Sequence, residues 1–169
     1  MRRVILSASA VALLSACSSG DDLTPEEREA EIDAEVAAVE AAQIPPLVPV
    51  TPEPLEFADF ERESMFGASC SFNSAASPDD VIALAMSDRG MMRIAGNAEV
   101  YAADKGSKEN VLGTRTEYDG KSFEFALMIE QGSGEQVGYE ATAYPATLTV
   151  RDGRDRTVFE AQGKAICGV

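Results

Sequence analysis

The sequence of 169 residues contains no histidine and no tryptophan. Without histidine, the chain lacks the residue that most often acts as a general base and as a zinc ligand. A serine or cysteine nucleophile of the usual triad type needs such a base beside it. These absences disfavour an enzyme of that kind, and we predict no catalytic residues, no cofactor and no metal site.

Positive charge is also scarce, with 14 Lys and Arg against 29 Asp and Glu and a net charge of -15. Residues 18–63 carry 14 acids against Arg28 and Arg62, a net charge of -12, whereas residues 64–169 are nearer balance at -5. An acidic segment repels nucleic acid phosphates. We therefore predict no nucleic acid partner.

Long hydrophobic runs are missing as well. The apolar stretch of residues 4–14 is interrupted by Ser7 and Ser9 and is too short to span a bilayer, which takes roughly 20 residues. It follows Arg2 and Arg3, and a basic start before a short apolar run is typical of a secretory signal peptide.

This run ends in Leu14-Ser15-Ala16-Cys17, which resembles the lipobox of bacterial lipoproteins. The resemblance implies a signal peptide of residues 1–16 and a lipidated Cys17, with a diacylglyceryl group on its sulfur and an acylated amine. Two or three acyl chains hold a protein firmly at a membrane. Ser18 follows where Asp retains lipoproteins of enteric bacteria at the inner membrane. By this analogy we expect an outer-membrane anchor and a domain facing the periplasm.

The three cysteines are then divided. With Cys17 lipidated, Cys70 and Cys167 remain as an even pair in an oxidising compartment. We predict a disulfide between them, near the two ends of the folded domain. It would close a loop of nearly 100 residues and contribute about 4–5 kcal/mol to stability.

Residues 17–63 are predicted to be a tether. Within it, residues 24–43 predict a helix, because Thr24 can cap it, Pro25 suits the first turn and Glu27 completes a capping box. Its thin apolar stripe fits either a solvated spacer or a short self-associating or docking helix. Residues 44–56 hold five of the eight prolines and predict an extended, Pro-rich linker.

Residues 64–169 have the pattern of short strands separated by turns. Asp119-Gly120 lies between two alternating runs, which is a strong hairpin signal. We predict an all-β fold of about eight strands, a small antiparallel meander that forms either a barrel or a sandwich. The predicted strands are residues 69–73, 81–87, 91–95, 98–103, 114–118, 122–131, 136–144, 146–151 and 156–166, with Pro145 at a break or an edge.

Alternation also predicts which side chains share a face. It groups Phe123, Phe125, Leu127 and Ile129 on one face of their strand, and Leu148 with Val150 on another. It also groups Ile82, Leu84 and Met86.

The plan of lipobox, tether and a domain with Cys near each end is similar to that of membrane-bound inhibitors of c-type lysozyme. Their inhibitory loop has the pattern Ser-Gly-x-x-Tyr, and this chain has Ser133, Gly134 and Tyr139, with the tyrosine two positions late. The Trp and the Lys-Gly-Asp that usually follow are absent. The resemblance implies an interaction loop at these residues.

We therefore expect a lipid-anchored envelope lipoprotein with a non-catalytic binding or structural module, whose partner is an envelope protein or a glycan. A lysozyme-inhibitor-like protein is the alternative, and it requires Ser133 and Tyr139 to be exposed on one loop. A carboxylate-based envelope hydrolase is the second alternative, because residues 64–169 contain 15 acids.

Overall fold

The computed structural model describes residues 24–169 and divides the chain into two compact units, Met1–Pro45 and Pro46–Val169. In the first unit the described structure is helix α1 (Pro25–Ala42), whose residues are all exposed. The predicted capping box is present: the Glu27 carboxylate accepts from the Thr24 N–H at 2.8 Å, and the Thr24 hydroxyl accepts from the Glu27 N–H at 3.3 Å. The predicted helix is confirmed. Within residues 24–169, no helix is both long and apolar enough to cross a membrane.

The second unit confirms the all-β prediction and settles it as a barrel. Eight antiparallel strands close on themselves, and a ninth short strand is added at one side. Single 3-10 turns occur at Val111–Gly113 and Gln131–Ser133. The elements are α2 (Phe57–Glu63), β1 (Ser69–Ser74), β2 (Ser77–Ala85), β3 (Arg89–Ile94), β4 (Asn97–Ala103), β5 (Glu117–Asp119), β6 (Phe123–Ile129), β7 (Glu135–Gln136), β8 (Ala141–Asp152) and β9 (Thr157–Gly168).

The barrel is a meander with one insertion. Strands β1 to β6 pair in chain order, including the predicted hairpin in which the Gly120 N–H donates to the Phe123 carbonyl at 2.9 Å. Strand β9 pairs with β1 on one side and β8 on the other, and β8 closes the barrel by pairing with β6. Strand β7 pairs only with the end of β8 and lies outside the closed ring.

The predicted disulfide is confirmed. Cys70 and Cys167 face each other in the β1–β9 register, with Cα atoms 4.0 Å apart. Because β1 and β9 are the first and last strands, the bond holds the seam where the two ends of the barrel domain meet. The two cysteines are 97 residues apart in the sequence.

The barrel interior is filled by aromatic and aliphatic side chains. Phe125 stacks on Tyr118 with ring centroids 4.6 Å apart and meets the edge of Tyr101 at 5.2 Å. The Tyr118 hydroxyl donates to the Met86 carbonyl and accepts from the Arg115 N–H, each at 2.8 Å. Burial raises the pKa of Tyr118 to about 12. The predicted inward faces of β6 and β8 are confirmed, because Phe125, Leu127, Leu148 and Val150 are buried and Phe123 and Ile129 pack against them.

A second, outer cluster lies on β2 and β3. Leu84 and Met86 are buried there with Met91 and Met65, and Leu55 and Phe60 pack against them. The predicted common face of Ile82, Leu84 and Met86 is therefore wrong, since Ile82 belongs to the interior cluster. The pairing of β1 with β2 has a bulge at this point, because Phe72 pairs with Ala83 and Asn73 with Val81. The extra residue, Ile82, is therefore placed with Ala83 in the interior, and alternation does not continue from Ile82 to Leu84.

Pro145 does not interrupt a strand, because β8 runs through it and joins residues 141–144 of one predicted strand to the predicted strand of residues 146–151. The first part of the predicted strand at residues 136–144 is wrong, since residues 137–140 form a loop after β7. The Pro145 carbonyl accepts from the Glu130 N–H at 2.9 Å, so its nitrogen also points to that side, away from β9. On that side β8 pairs with β6 from Ala146 and with β7 up to Ala143. The missing N–H would face the carbonyl of Glu130, which instead accepts from the Ser133 N–H at 3.1 Å, so the proline leaves no acceptor unpaired.

The compact unit begins at Pro46, well before the predicted boundary at residue 64. Its first eleven residues, 46–56, are here called the strap. The strap is extended, as the prolines predict, but it is not a free spacer. The N–H groups of Val50, Glu53 and Leu55 donate to carbonyls of β9, β3 and β2 at 2.8–3.2 Å.

Candidate functional site

The strap is fixed by a buried carboxylate on α2. Asp59 is 2% exposed, and its oxygens lie 2.7 Å from Nη1 of Arg93 on β3 and 2.8 Å from Nη2 of Arg62. Asp59 also accepts from the Glu56 N–H at 3.0 Å, at the start of the helix. Every partner of this carboxylate is therefore a donor, as a buried charge requires. The cluster therefore has the geometry of a structural contact that holds α2 against β3.

The ionisation of Asp59 is determined by two opposing effects. Burial raises its pKa, whereas the hydrogen bonds from the Glu56 N–H, Arg62 and Arg93 lower it. The donors outweigh the burial, so the pKa of Asp59 lies below its usual value. Asp59 is thus a carboxylate at neutral pH.

A groove lies beside the strap in the barrel unit. It has a volume of about 610 Å³ and runs between residues 51–54 of the strap, the β1–β2 turn and the exposed edge of β9. Three carboxylates line it, from Glu53, Asp80 and Glu160, together with the aromatic ring of Phe159. We call it the strap groove. Because acids converge on this concavity, the hydrolase alternative has a specific place at which it can be tested.

A smaller cavity of about 340 Å³ adjoins the strap groove and shares Ser74, Ala75 and Gln162 with it. Asn73 lines this cavity and is 7% exposed. Its Oδ1 has no hydrogen-bond partner within the described chain. A buried amide oxygen without a partner costs free energy unless a donor reaches it.

The predicted interaction loop is an exposed segment on the surface of the barrel unit. Residues 131–140 are all exposed, and they include Ser133, Gly134 and Tyr139. Tyr139 is 95% exposed and Val137 52%. The loop is positioned by β7, by the Val137 N–H donating to the Ala141 carbonyl at 3.0 Å, and by Gly134, whose missing side chain makes room for Tyr144.

The remaining predicted site, Cys17 with the lipobox, lies outside the described residues. Asp152 and Asp155 lie in the β8–β9 turn, where Arg156 Nη2 contacts Asp152 at 2.6 Å and Arg151 contacts Asp155 at 3.4 Å. The hydrogen bonds from Arg156 lower the pKa of Asp152 to about 2. Within residues 24–169, no group of three or more Cys, Asp or Glu is placed to hold a metal ion.

The sequence interpretation missed the strap groove and Asp59. Both depend on a contact between residues 46–63 and strands that come much later in the chain. One local signal existed in the strap, where prolines alternate with residues such as Val50, Glu53 and Leu55. Because proline has no backbone N–H, only the residues between the prolines can donate a main-chain hydrogen bond.

The chain matches no family model, no curated protein and no solved structure.

Proposed function

We propose that this protein is a lipid-anchored lipoprotein of a bacterial outer membrane and that its barrel is a non-catalytic binding module facing the periplasm. The Leu14–Cys17 pattern supports the anchor. The Cys70–Cys167 bond supports it further, because it leaves Cys17 as the one cysteine of three that is free for acylation.

The exposure of Tyr139 is the observation that carries the binding proposal. Tyr139 is 95% exposed, and Val137, two residues before it, is 52% exposed. Tyrosine offers a large apolar area with a polar hydroxyl at little cost in conformational entropy, and it is enriched where proteins contact partners. A disulfide-closed barrel presents such a loop from a rigid base.

The anchor is tested by expressing the full chain in a Gram-negative host and measuring the mass of its mature N-terminal peptide. We expect that peptide to begin at a Cys17 carrying a diacylglyceryl group and an acyl chain, and the protein to remain with outer-membrane vesicles after a salt wash. The Cys17→Ser variant should lose the lipid and keep the barrel disulfide. A mature form of the unaltered chain with an unmodified Cys17 would exclude the anchor.

The binding role is tested by capture from envelope extract with the full chain and two variants. Tyr139→Ala removes the exposed ring, and Met128→Ala is its control, because Met128 is 55% exposed and belongs to β6 and not to residues 131–140. We expect a captured envelope protein or glycan to be lost with Tyr139→Ala and kept with Met128→Ala. Equal capture by both variants would show that the loop is not the contact surface.

Exposure of Ser133 together with Tyr139 on one loop favours a second candidate, a lysozyme-inhibitor-like activity. The test is the rate at which a c-type lysozyme clears a cell-wall suspension in the presence of the full chain. Inhibition that is weakened by Tyr139→Ala and unchanged by Met128→Ala supports this candidate. An unchanged clearing rate at micromolar protein removes it.

A further inference from the structure

We propose that the strap groove binds an extended, positively charged segment of a partner polypeptide. This inference rests on the proposed binding function and names a partner chemistry for it. It concerns a surface separate from the loop of residues 131–140.

The first observation is an unpaired strand edge. Strand β9 begins at Thr157, but β1 pairs with it only from Gly163 onward. The carbonyls of Val158 and Gln162 already accept from Val50 and Ala75. Backbone groups of alternate residues point to the same side of a strand, so the N–H and carbonyl of Glu160 point there too. No strand of the described chain pairs with Glu160 on that side.

This edge is open over a defined length. The strap bonds β9 at Val158, and the β1–β2 turn bonds it at Gln162. The four residue steps from Val158 to Gln162 span about 13 Å, and Glu160 is the residue between them whose N–H and carbonyl are open, so one residue of an extended peptide can exchange its two main-chain hydrogen bonds there. Such a peptide would add to β9 by main-chain hydrogen bonds, the mode known as β-augmentation.

The second observation is charge. Among the fourteen residues that line the groove, three are acidic and none is basic. Asp80 and Glu160 have no ion-pair partner among the described residues, whereas the Glu53 carboxylate lies 3.6 Å from Nε of Arg93. The side chain of Phe159 adds an aromatic wall, on which the stem or head of a Lys or Arg can pack.

The third observation is the orphan acceptor. Asn73, whose buried Oδ1 has no donor within residues 24–169, lines the adjoining cavity together with one basic residue, Lys164, so this acceptor lies beside the acidic groove and not in it. The carboxylates and the Glu160 carbonyl also accept hydrogen bonds. A donor-rich ligand therefore fits, and Lys and Arg side chains carry donors only.

The charge of the groove also excludes the chain's own tether as its occupant. Residues 18–63 carry 14 acids against two arginines, so repulsion would keep another acidic segment away. A second copy of this chain is disfavoured for the same reason. A separate cationic polypeptide is the occupant that the charges select.

The test uses the full chain and a fluorescent, terminally blocked hexapeptide alternating lysine and threonine, followed by anisotropy. Asp80→Lys/Glu160→Lys reverses the two unpaired groove acids. Asp79→Lys/Glu61→Lys changes the net charge equally with exposed acids that do not line the groove. We expect saturable binding that falls about tenfold or more in the groove variant and less than about twofold in the control.

Two further peptides separate backbone pairing from simple attraction. A glutamate–threonine hexapeptide should not bind, and a lysine–threonine peptide methylated at every backbone amide should bind about tenfold more weakly, because neither of its edges can donate to β9. Equal loss in the groove and control variants would overturn the proposal, as would absence of saturable binding. If binding to this groove fails while envelope capture still depends on Tyr139, the groove inference falls and the binding function stands.

Discussion

Nη1 of Arg93 lies 2.7 Å from Oδ2 of Asp59, and this contact ties α2 to β3 across 34 residues of sequence. Arg93 is also the residue whose carbonyl receives the strap, from the N–H of Glu53 at 2.8 Å. Main chain and side chain of one arginine thus hold two successive segments, the strap and α2. One wall of the strap groove therefore depends on these two contacts of Arg93.

We expect Asp59→Asn to destabilise the protein by about 3 kcal/mol, because it leaves Arg93 half-buried without its closest carboxylate. The measurement is the free energy of unfolding in urea. Glu61→Gln on the same helix is the control, since Glu61 is exposed, and it should change stability by less than about 0.5 kcal/mol. Faster amide exchange at Leu55 in Asp59→Asn would locate the damage in the strap. Equal stability of the two variants would contradict the structural role of Asp59.

Stability should fall with acid, and Asp59 should account for part of the fall. Its folded pKa lies below the unfolded value of about 3.9, so its contribution is complete above that pH and is lost as the pH falls through the folded pKa. Asp152, with a pKa of about 2 owing to Arg156, acts in the same direction between about pH 4 and 2. Urea unfolding at pH 5, 4 and 3 should show a shallower loss in Asp59→Asn than in the unaltered chain. Parallel curves would exclude the assignment.

The disulfide should contribute about 4–5 kcal/mol, because it closes a loop of 97 residues in the unfolded chain. The variant Cys70→Ala/Cys167→Ala should lose about that free energy of unfolding. Alkylation of the denatured, unreduced protein provides the covalent check, since it should modify neither Cys70 nor Cys167. Modification at either residue would mean that the pair is not formed in the isolated protein.

Gly90→Ala tests the packing of the barrel interior. A Cβ at Gly90 would lie 2.5 Å from Cζ of Phe125 and 2.9 Å from the Leu84 carbonyl oxygen, so the stacked aromatic core would have to shift. We expect a loss of about 1–3 kcal/mol in the free energy of unfolding. Gly153→Ala is the matched control, because no atom lies within 4 Å of its added Cβ. A Gly90→Ala protein as stable as the control would show that the core tolerates the added methyl group.

Much of the barrel could be predicted from local pattern. Period-two alternation identified the inward faces of β6 and β8, and Asp119-Gly120 identified the hairpin between β5 and β6. These features are encoded within a few residues of each other. The disulfide needed one step more, which was to remove Cys17 from the count by its resemblance to a lipobox cysteine.

The features that were missed are all long-range. Proline content correctly indicates an extended backbone for residues 46–56, but it says nothing about where the N–H groups of Val50, Glu53 and Leu55 find acceptors. Asp59 belongs to an acidic run whose other members are mostly exposed, and only its partner on β3 distinguishes it. The strap groove is formed by these contacts, so no local pattern could reveal it. At Pro145 the predicted break is absent, because the proline lies where the β6–β8 ladder ends, and the local sequence does not show where that ladder ends.

The strap and the disulfide also determine how the domain responds to mechanical load. A pull on the chain from the side of α1 reaches the barrel first through the strap hydrogen bonds and then through the Asp59–Arg93 contact and the apolar packing of α2, all of which lie ahead of Cys70 in the chain. Residues 46–69 can then extend to a length of about 80 Å. Beyond that point the bond to Cys167 stops further unravelling. The seam therefore acts as a mechanical stop: it limits how far the domain can be drawn out while the strands from β1 to β9 stay closed.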